Sequence, residues 1–322
     1  MQLIAIDIGG THARFALAET EGTAITLGDP VTLKTSDYTS LPEAWAAFCA
    51  SVDYVVPSAA AIAIAGPVTG ERVKMTNNTW VIDTGAIDDQ LRLERASVIN
   101  DFAAVAHAVA QADASEFKHI FGRDVPLPQH GTISVVGPGT GLGVAQVHRI
   151  AGGYHAVATE GGHIGFAPQD ALDDAILARL RKEFARVSVE RVVSGPGIVP
   201  IYLSICAEKG QQPTLGDDRA IWEAALANGS KLAEAALERF CFSLGSAAGD
   251  YALAHGANAV VLAGGLGYRL RALLPASGFA RGFTGKGRYE KMLSALPVKL
   301  ITLPEPGLYG AAAAFLQQYG DA

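Results

Sequence analysis

Twice in this sequence an apolar strand pattern runs into a tight glycine-threonine turn and out into a second apolar stretch. Leu3-Ile4-Ala5-Ile6-Asp7-Ile8-Gly9-Gly10-Thr11 leads to Ala13-Arg14-Phe15-Ala16-Leu17-Ala18, and Ile133-Ser134-Val135-Val136 leads through Gly137-Pro138-Gly139-Thr140-Gly141-Leu142-Gly143 to Val144-Ala145. Apolar runs on both sides of such a turn read as β-hairpins. Glycine lets each tip approach a ligand closely, with backbone amides pointing at anionic oxygens. Hairpin geometry alone accounts for glycine at either turn. The pair, with Asp7 inside the first strand, implies two lobes gripping one polyphosphate.

The familiar phosphate fingerprints do not fit. GxxxxGK[ST] is absent, since Gly285-Lys286 has Ala280 where the first glycine belongs. Gly137-Pro138-Gly139 is followed by Leu142 where the dinucleotide motif needs glycine. Pro138 has no N–H, so phosphate contacts from the second turn fall to Gly139, Thr140 and Gly141. Asp7 stands where a carboxylate can hold Mg²⁺, directly or through water.

The bulk properties bound the alternatives. A chain of 322 residues is long enough for two domains, and 49% apolar with 18% charged residues excludes disorder. A net charge of −7 without a basic run argues against a nucleic-acid partner. Cys49, Cys206 and Cys241 are isolated, which supports neither a disulfide framework nor a zinc site and suits a reducing compartment. No basic leader and no run of 18 apolar residues is present, so the expectation is a cytoplasmic protein with no membrane span.

Along the chain the pattern is α/β. Strands are expected over residues 3–8, 13–18, 25–33, 60–65, 97–99, 132–136, 143–149, 155–159, 258–263 and 298–303. Helices are expected over 41–49, from a cap at Asp83 toward Leu91, and over 102–110, 170–184, 231–254 and 309–319. In the 170–184 helix, Ala171, Ala175, Leu177, Leu180 and Phe184 form the expected buried stripe. The expected lobes are 1–108 plus 298–322, and 109–297, with the turn-rich segment 122–130 near a boundary. The last strand and helix are expected to cross back onto the first lobe.

A second set of residues suits a sugar, whose hydroxyls each donate and accept. Asn100-Asp101 follows a strand and opens a helix, so both side chains project at the carboxyl end of a sheet, where ligands of open α/β sheets bind. Asp101 reads equally as a helix cap there. Glu160 and His163, separated by two glycines, can fold toward one ligand or form a polar turn. HExxH is absent, so zinc is not expected. Glu190 taken alone reads as a solvated helix residue.

Five motifs then occur in order: Asp7-Ile8-Gly9-Gly10-Thr11, Val98-Ile99-Asn100-Asp101-Phe102, Gly137-Pro138-Gly139-Thr140-Gly141-Leu142-Gly143, Glu160-Gly161-Gly162-His163 and Glu190-Arg191-Val192-Val193-Ser194-Gly195-Pro196-Gly197. In this the chain resembles the bacterial glucokinases, the zinc-free hexokinase-like branch of the actin/Hsp70/sugar-kinase superfamily. The related repressor/sugar-kinase group usually carries a cysteine-rich zinc motif that this sequence lacks. The resemblance implies a two-lobed, actin-like (ribonuclease H-like) fold with a ligand cleft between lobes, and ATP-dependent, Mg²⁺-requiring phosphorylation of glucose at its 6-hydroxyl. It implies Asp101 as general base, Asn100, Glu160, His163 and Glu190 on the glucose hydroxyls, and Gly66 and Asn78 lining the sugar pocket. Asp7, Ile8, Gly9, Gly10, Thr11, Gly137, Gly139, Thr140 and Gly141 would serve the nucleotide, and Gly264-Gly265 would lie against its adenosine. A homodimer is implied as well. The competing readings are a kinase for fructose or mannose, a polyphosphate-dependent kinase, a catalytically idle sugar sensor and a polymerising actin-like ATPase.

Overall fold

Strand pairing in the first part of the chain follows directly from its apolar runs. The computed structural model describes residues 1–68, 70–75 and 78–320. It divides into two units, Met1–Ala112 with Ala156–Ala158 and Leu303–Ala322, and Asp113–His155 with Thr159–Thr302. In the first unit β1 (Gln2–Ile8) and β2 (His12–Glu21) are antiparallel, with Asp7 directly opposite Arg14. The expected strand over 25–33 is two strands, β3 (Ala24–Leu27) and β4 (Val31–Lys34), both paired with β2. Gly28-Asp29-Pro30 breaks it, because Pro30 cannot donate to a ladder and the Gly28 amide turns to Leu17 O at 2.8 Å.

Helix α1 (Leu41–Ser51) starts at Ser40, whose hydroxyl accepts from Glu43 N, while the Glu43 carboxylate accepts from Thr39 N at 2.6 Å. Its buried face is Leu41, Ala44, Trp45 and Phe48, and Phe48 stacks on Phe15 at 4.9 Å. β5 (Ala59–Ile64) runs parallel to β1, and β6 (Arg72–Lys74) pairs with β7 (Val81–Asp83) in a separate ribbon. Asp83 ends β7 opposite Arg72, so α2 (Ile87–Leu91) begins after Ala86 without the expected Asp83 cap. β8 (Arg95–Asn100) runs parallel to β5, and α3 (Asp101–Gln111) follows at once. The sheet order β3-β2-β1-β5-β8 aligns Ile8 with Ile64 and Ile64 with Asn100. The carboxyl ends of the three parallel strands therefore lie at one edge.

The second sheet, which belongs to the second unit apart from Ala156–Ala158 of its edge strand, repeats the device. β9 (Phe117–Phe121), β10 (Gly131–Pro138), β11 (Leu142–Ile150) and β12 (Gly153–Thr159) precede α4 (Ala171–Leu180), α5 (Ile198–Glu208), α6 (Asp218–Leu226) and α7 (Lys231–Ala254). β13 (Ala259–Leu262), α8 (Gly264–Leu270), α9 (Phe279–Thr284), α10 (Glu290–Ser294) and β14 (Val298–Ile301) complete that unit. The sheet order is β12-β11-β10-β13-β14-β9, with Val136 aligned to Leu262 and Leu262 to Leu300. The helical core packs on this sheet around Tyr202, Phe240, Phe279 and Phe283, each fully buried.

The last strand corrects an expectation. β14 pairs with β13 and β9, so residues 298–301 belong to the second sheet, where Val298, Leu300 and Ile301 are buried as in a strand covered on both faces. Helix α11 (Pro306–Tyr319) belongs to the first unit. It packs so closely on α3 that a Cβ at Gly310 would lie 1.7 Å from Ala104 O. Segment 122–130 connects β9 to β10 inside the second unit, and the division falls after Ala112. Helix α4 also differs, for it buries Asp173, Ile176, Leu177 and Leu180 and exposes Ala171 and Ala175. Asp173 can be buried because Arg239 of α7 donates to it at 2.9 Å through Nε and to Asp170 at 2.7 Å through Nη1. Among the described residues no helix is long and apolar enough to cross a membrane.

Candidate functional site

At the carboxyl edge of the first sheet, three predicted groups are brought to the ends of adjacent strands: the Gly9-Gly10-Thr11 turn after β1, Gly66 after β5, and Asn100-Asp101 after β8. Asn100, not Asp101, is the N-cap of α3. Its Oδ1 accepts from Phe102 N at 2.8 Å and Ala103 N at 3.0 Å, and its Nδ2 donates to Gly66 O at 3.0 Å. Gly66 presents that carbonyl at φ +130°, a conformation only glycine adopts readily. Asn100 thus spends its oxygen and one N–H on local structure, leaving a single N–H for a ligand. Asp101 accepts Phe102 N–H through Oδ1 at 2.8 Å, which fixes the carboxylate at the first turn of the helix.

Asn78 holds Trp80 N through its Oδ1 at 3.1 Å, while its Nδ2 is buried with no partner among the described residues. A buried donor left unpaired costs on the order of 1–3 kcal/mol, so this amide is suited to an oxygen-bearing ligand.

Asp7 is half-buried at the same edge. Arg14 Nη1 lies 3.4 Å from Asp7 Oδ2, and Arg14 Nε lies 3.6 Å from Glu305 Oε2. Burial raises the Asp7 carboxyl above its usual range, against the lowering pull of Arg14. A Cβ at Gly307 would come 2.8 Å from Asp7 Oδ2, so glycine there makes room for the carboxylate. No group of three potential metal ligands occurs among the described residues. A lone carboxylate fits an octahedral cation that keeps its waters and arrives on substrate phosphates, which is how Mg²⁺ is commonly held.

Each glycine hairpin closes on a backbone hydrogen bond across its tip, over a different span. Gly9 N donates to His12 O at 2.9 Å, and Gly139 N donates to Gly141 O at 2.8 Å. The Gly9 and Gly139 amides are thereby each bonded within their own turn. Gly10, Thr11, Thr140 and Gly141 remain as the tip amides. Gly264, at φ +77°, lies so close to the second hairpin that a Cβ there would be 2.7 Å from Pro138 O. This sets the start of α8 beside Gly137.

The predicted sugar groups of the second unit converge. Glu160 precedes the short turn Gly161–His163, and His163 Nε2 lies 3.7 Å from Glu160 Oε2 while its Nδ1 lies 4.0 Å from Glu190 Oε1. The glycines between are required: a Cβ at Gly161 would meet Val144 Cβ at 2.9 Å, and one at Gly162 would meet Leu142 O at 2.3 Å. Tyr251 of α7 donates its hydroxyl to Gly161 O at 2.9 Å. Glu190 is not a solvated helix residue, for it sits in the turn Val189–Arg191 and its Oε2 accepts Leu142 N–H at 2.9 Å.

Arg14, Tyr251 and the Leu142 amide escaped the sequence reading. Arg14 could have been found by counting hairpin register outward from the Gly9-Gly10 turn, which sets residue 7 opposite residue 14. The other two are long-range and carry no local signal.

Known proteins resemble this chain in sequence and in fold. The sequence profile of the family described as glucokinase matches residues 4–318. The glucokinase of Zymomonas mobilis is 52% identical over 322 residues, covering 100% of this chain and 99% of the relative. Among solved structures, a glucokinase from an Antarctic psychrotroph superposes with a TM-score of 0.85 at 34% identity, over 98% of this chain and 99% of that one. Balamuthia mandrillaris glucokinase in complex with glucose has a TM-score of 0.74 at 21% identity, over 98% and 93%, and shows likeness of fold.

Proposed function

The chain belongs to the glucokinase family, and from that premise we propose that it transfers the γ-phosphoryl group of ATP to the 6-hydroxyl of D-glucose, with Asp101 as the base. The observation that carries the sugar reading is the convergence of Glu160, His163 and Glu190 in the second unit. Two carboxylates accept and an imidazole donates or accepts, a set that saturates adjacent hydroxyls.

In the reaction the 6-oxygen attacks the γ-phosphorus, the bond to the bridging oxygen of ADP breaks, and the hydroxyl proton passes to Asp101. The Phe102 amide holds that carboxylate in one orientation. Phosphoryl transfer through a loose transition state depends mainly on positioning and charge stabilisation, so an ordinary carboxylate suffices as base. General-base help of this kind supplies roughly 10²–10⁴-fold. Gly10, Thr11, Thr140 and Gly141 offer backbone amides to the phosphates, and Gly264-Gly265 accommodates the adenosine. Mg²⁺ carried by ATP would neutralise phosphate charge, with Asp7 orienting its water shell. Asn78 Nδ2 and the remaining Asn100 N–H line the sugar pocket.

Family membership also supports a homodimer. The three free cysteines suit the reducing cytoplasm.

The test is ADP release by the purified protein with glucose, mannose and fructose as acceptors, and with ATP or polyphosphate as donor. Glucose-dependent ADP release with glucose 6-phosphate as product is expected. Preference for another hexose, or sugar-independent ATP hydrolysis, would overturn the reading.

A further inference from the structure

The second glycine hairpin touches the sugar groups more than a phosphate loop needs to. Leu142 N–H holds Glu190 Oε2 at 2.9 Å, which leaves Oε1 turned toward His163. A Cβ at Gly141 would fall 2.5 Å from Glu190 Oε2 and 3.3 Å from its Cδ, so only glycine lets the hairpin lie on that carboxylate. Gly195 N, five residues beyond Glu190, donates to Gly139 O at 2.7 Å. The same strand also seats the other sugar groups, because Gly162 packs on Leu142 O and Thr159 Oγ1 donates to Val144 O at 3.1 Å.

We propose that Gly141 and the Leu142 amide are positioning residues for glucose: the hairpin that serves the nucleotide also fixes the carboxylate and the turn that read the sugar. This rests on the glucose reading above. Its physical content is that an acceptor oxygen pinned by a backbone N–H cannot rotate away, so the second oxygen is presented to a hydroxyl already oriented. Displacing the hairpin therefore loosens sugar binding even when no nucleotide is present.

The test is glucose affinity measured by calorimetry on the full chain without nucleotide. Gly141→Ala must push the Glu190 carboxylate off Leu142 N–H, and a lost charge-assisted hydrogen bond weakens glucose binding about tenfold. Gly153→Ala, at the start of β12 and with nothing within 4 Å of its Cβ, is the comparison and keeps glucose affinity within about twofold. Wild-type affinity in Gly141→Ala, or equal losses in both variants, would overturn the proposal. A measurement on the unmutated protein guards against a variant that does not fold. Glucose alone should slow hydrogen exchange of the Leu142 amide, and unchanged exchange refutes the link. If the wild type neither binds nor phosphorylates glucose, the functional reading falls too. If it does both and Gly141→Ala is unaffected, only this inference falls.

Discussion

The contact between α11 and α3 ties the end of the chain to the proposed base, and Gly310→Ala tests that tie. A Cβ at Gly310 would sit 1.7 Å from Ala104 O and 2.4 Å from Ala104 C, both backbone atoms inside α3. An ordinary carbon–oxygen contact needs about 3.3 Å, so the helices would have to part by roughly 1.5 Å. No side-chain rotation can relieve the clash. Overpacking of this kind costs about 1–3 kcal/mol or more, and each kcal/mol lowers Tm by roughly 1.5–2 °C in a chain of 322 residues. The catalytic effect should exceed the thermal one. Asp101 is the first residue of α3 and Ala104 lies one turn on, and a displacement of about 1 Å costs on the order of 10²-fold in rate. Tm by calorimetry and kcat well below Tm check this together. Wild-type kcat in a variant with lowered Tm would show that α3 does not position Asp101 through this contact. Wild-type values of both would refute the packing argument itself.

Three other outcomes follow from groups outside the reaction. His107, buried in α3, is held down to a pKa of about 4 by burial, against an ordinary 6.5. The unfolded chain therefore takes up that proton first as pH falls from 6.5 to 4, and this one group should remove up to about 3 kcal/mol of stability across that window. Urea denaturation of the wild type and His107→Gln at pH 7 and pH 4.5 should show a flatter pH dependence in the variant. Arg239→Met leaves Asp173, itself 1% exposed, without its cation. A loss of about 3–5 kcal/mol is expected by denaturant titration, and a loss below about 1 kcal/mol would mean that Asp173 finds another partner. Tyr251→Phe removes only the hydroxyl that holds Gly161 O. Glucose KM should rise about fivefold with ATP KM unchanged, and equal rises in both would argue for a general structural role.

The sequence made the hairpins, the parallel strands and the 231–254 helix legible, because each rests on local periodicity and on glycine or proline punctuation. Lys231–Ala254 is bounded by Ser230, whose hydroxyl caps Ala233 N, and by Gly256 at φ +59°. What periodicity could not show is which neighbour a strand chooses. Residues 298–301 are apolar enough for either sheet, and their pairing with β13 is decided by packing far along the chain. The same holds for Asp173, polar in sequence but buried by Arg239, 66 residues away. Glu190 was legible only through family resemblance, since its partner is a backbone amide with no residue signature. Asn100 and Asp101 were read together, and only hydrogen-bond geometry separates the cap from the proposed base.

The base assignment is the centre of this account, and Asp101→Asn tests it most directly. The amide keeps the shape of the side chain and can still accept Phe102 N–H, so the fold and the sugar groups on the second unit should be retained. Single-turnover phosphoryl transfer from ATP to glucose, measured beside glucose affinity, separates binding from chemistry. We expect transfer to fall by at least roughly 10²-fold with glucose affinity within about one order of magnitude. Transfer at a near-normal rate would contradict the assignment of Asp101 as the base.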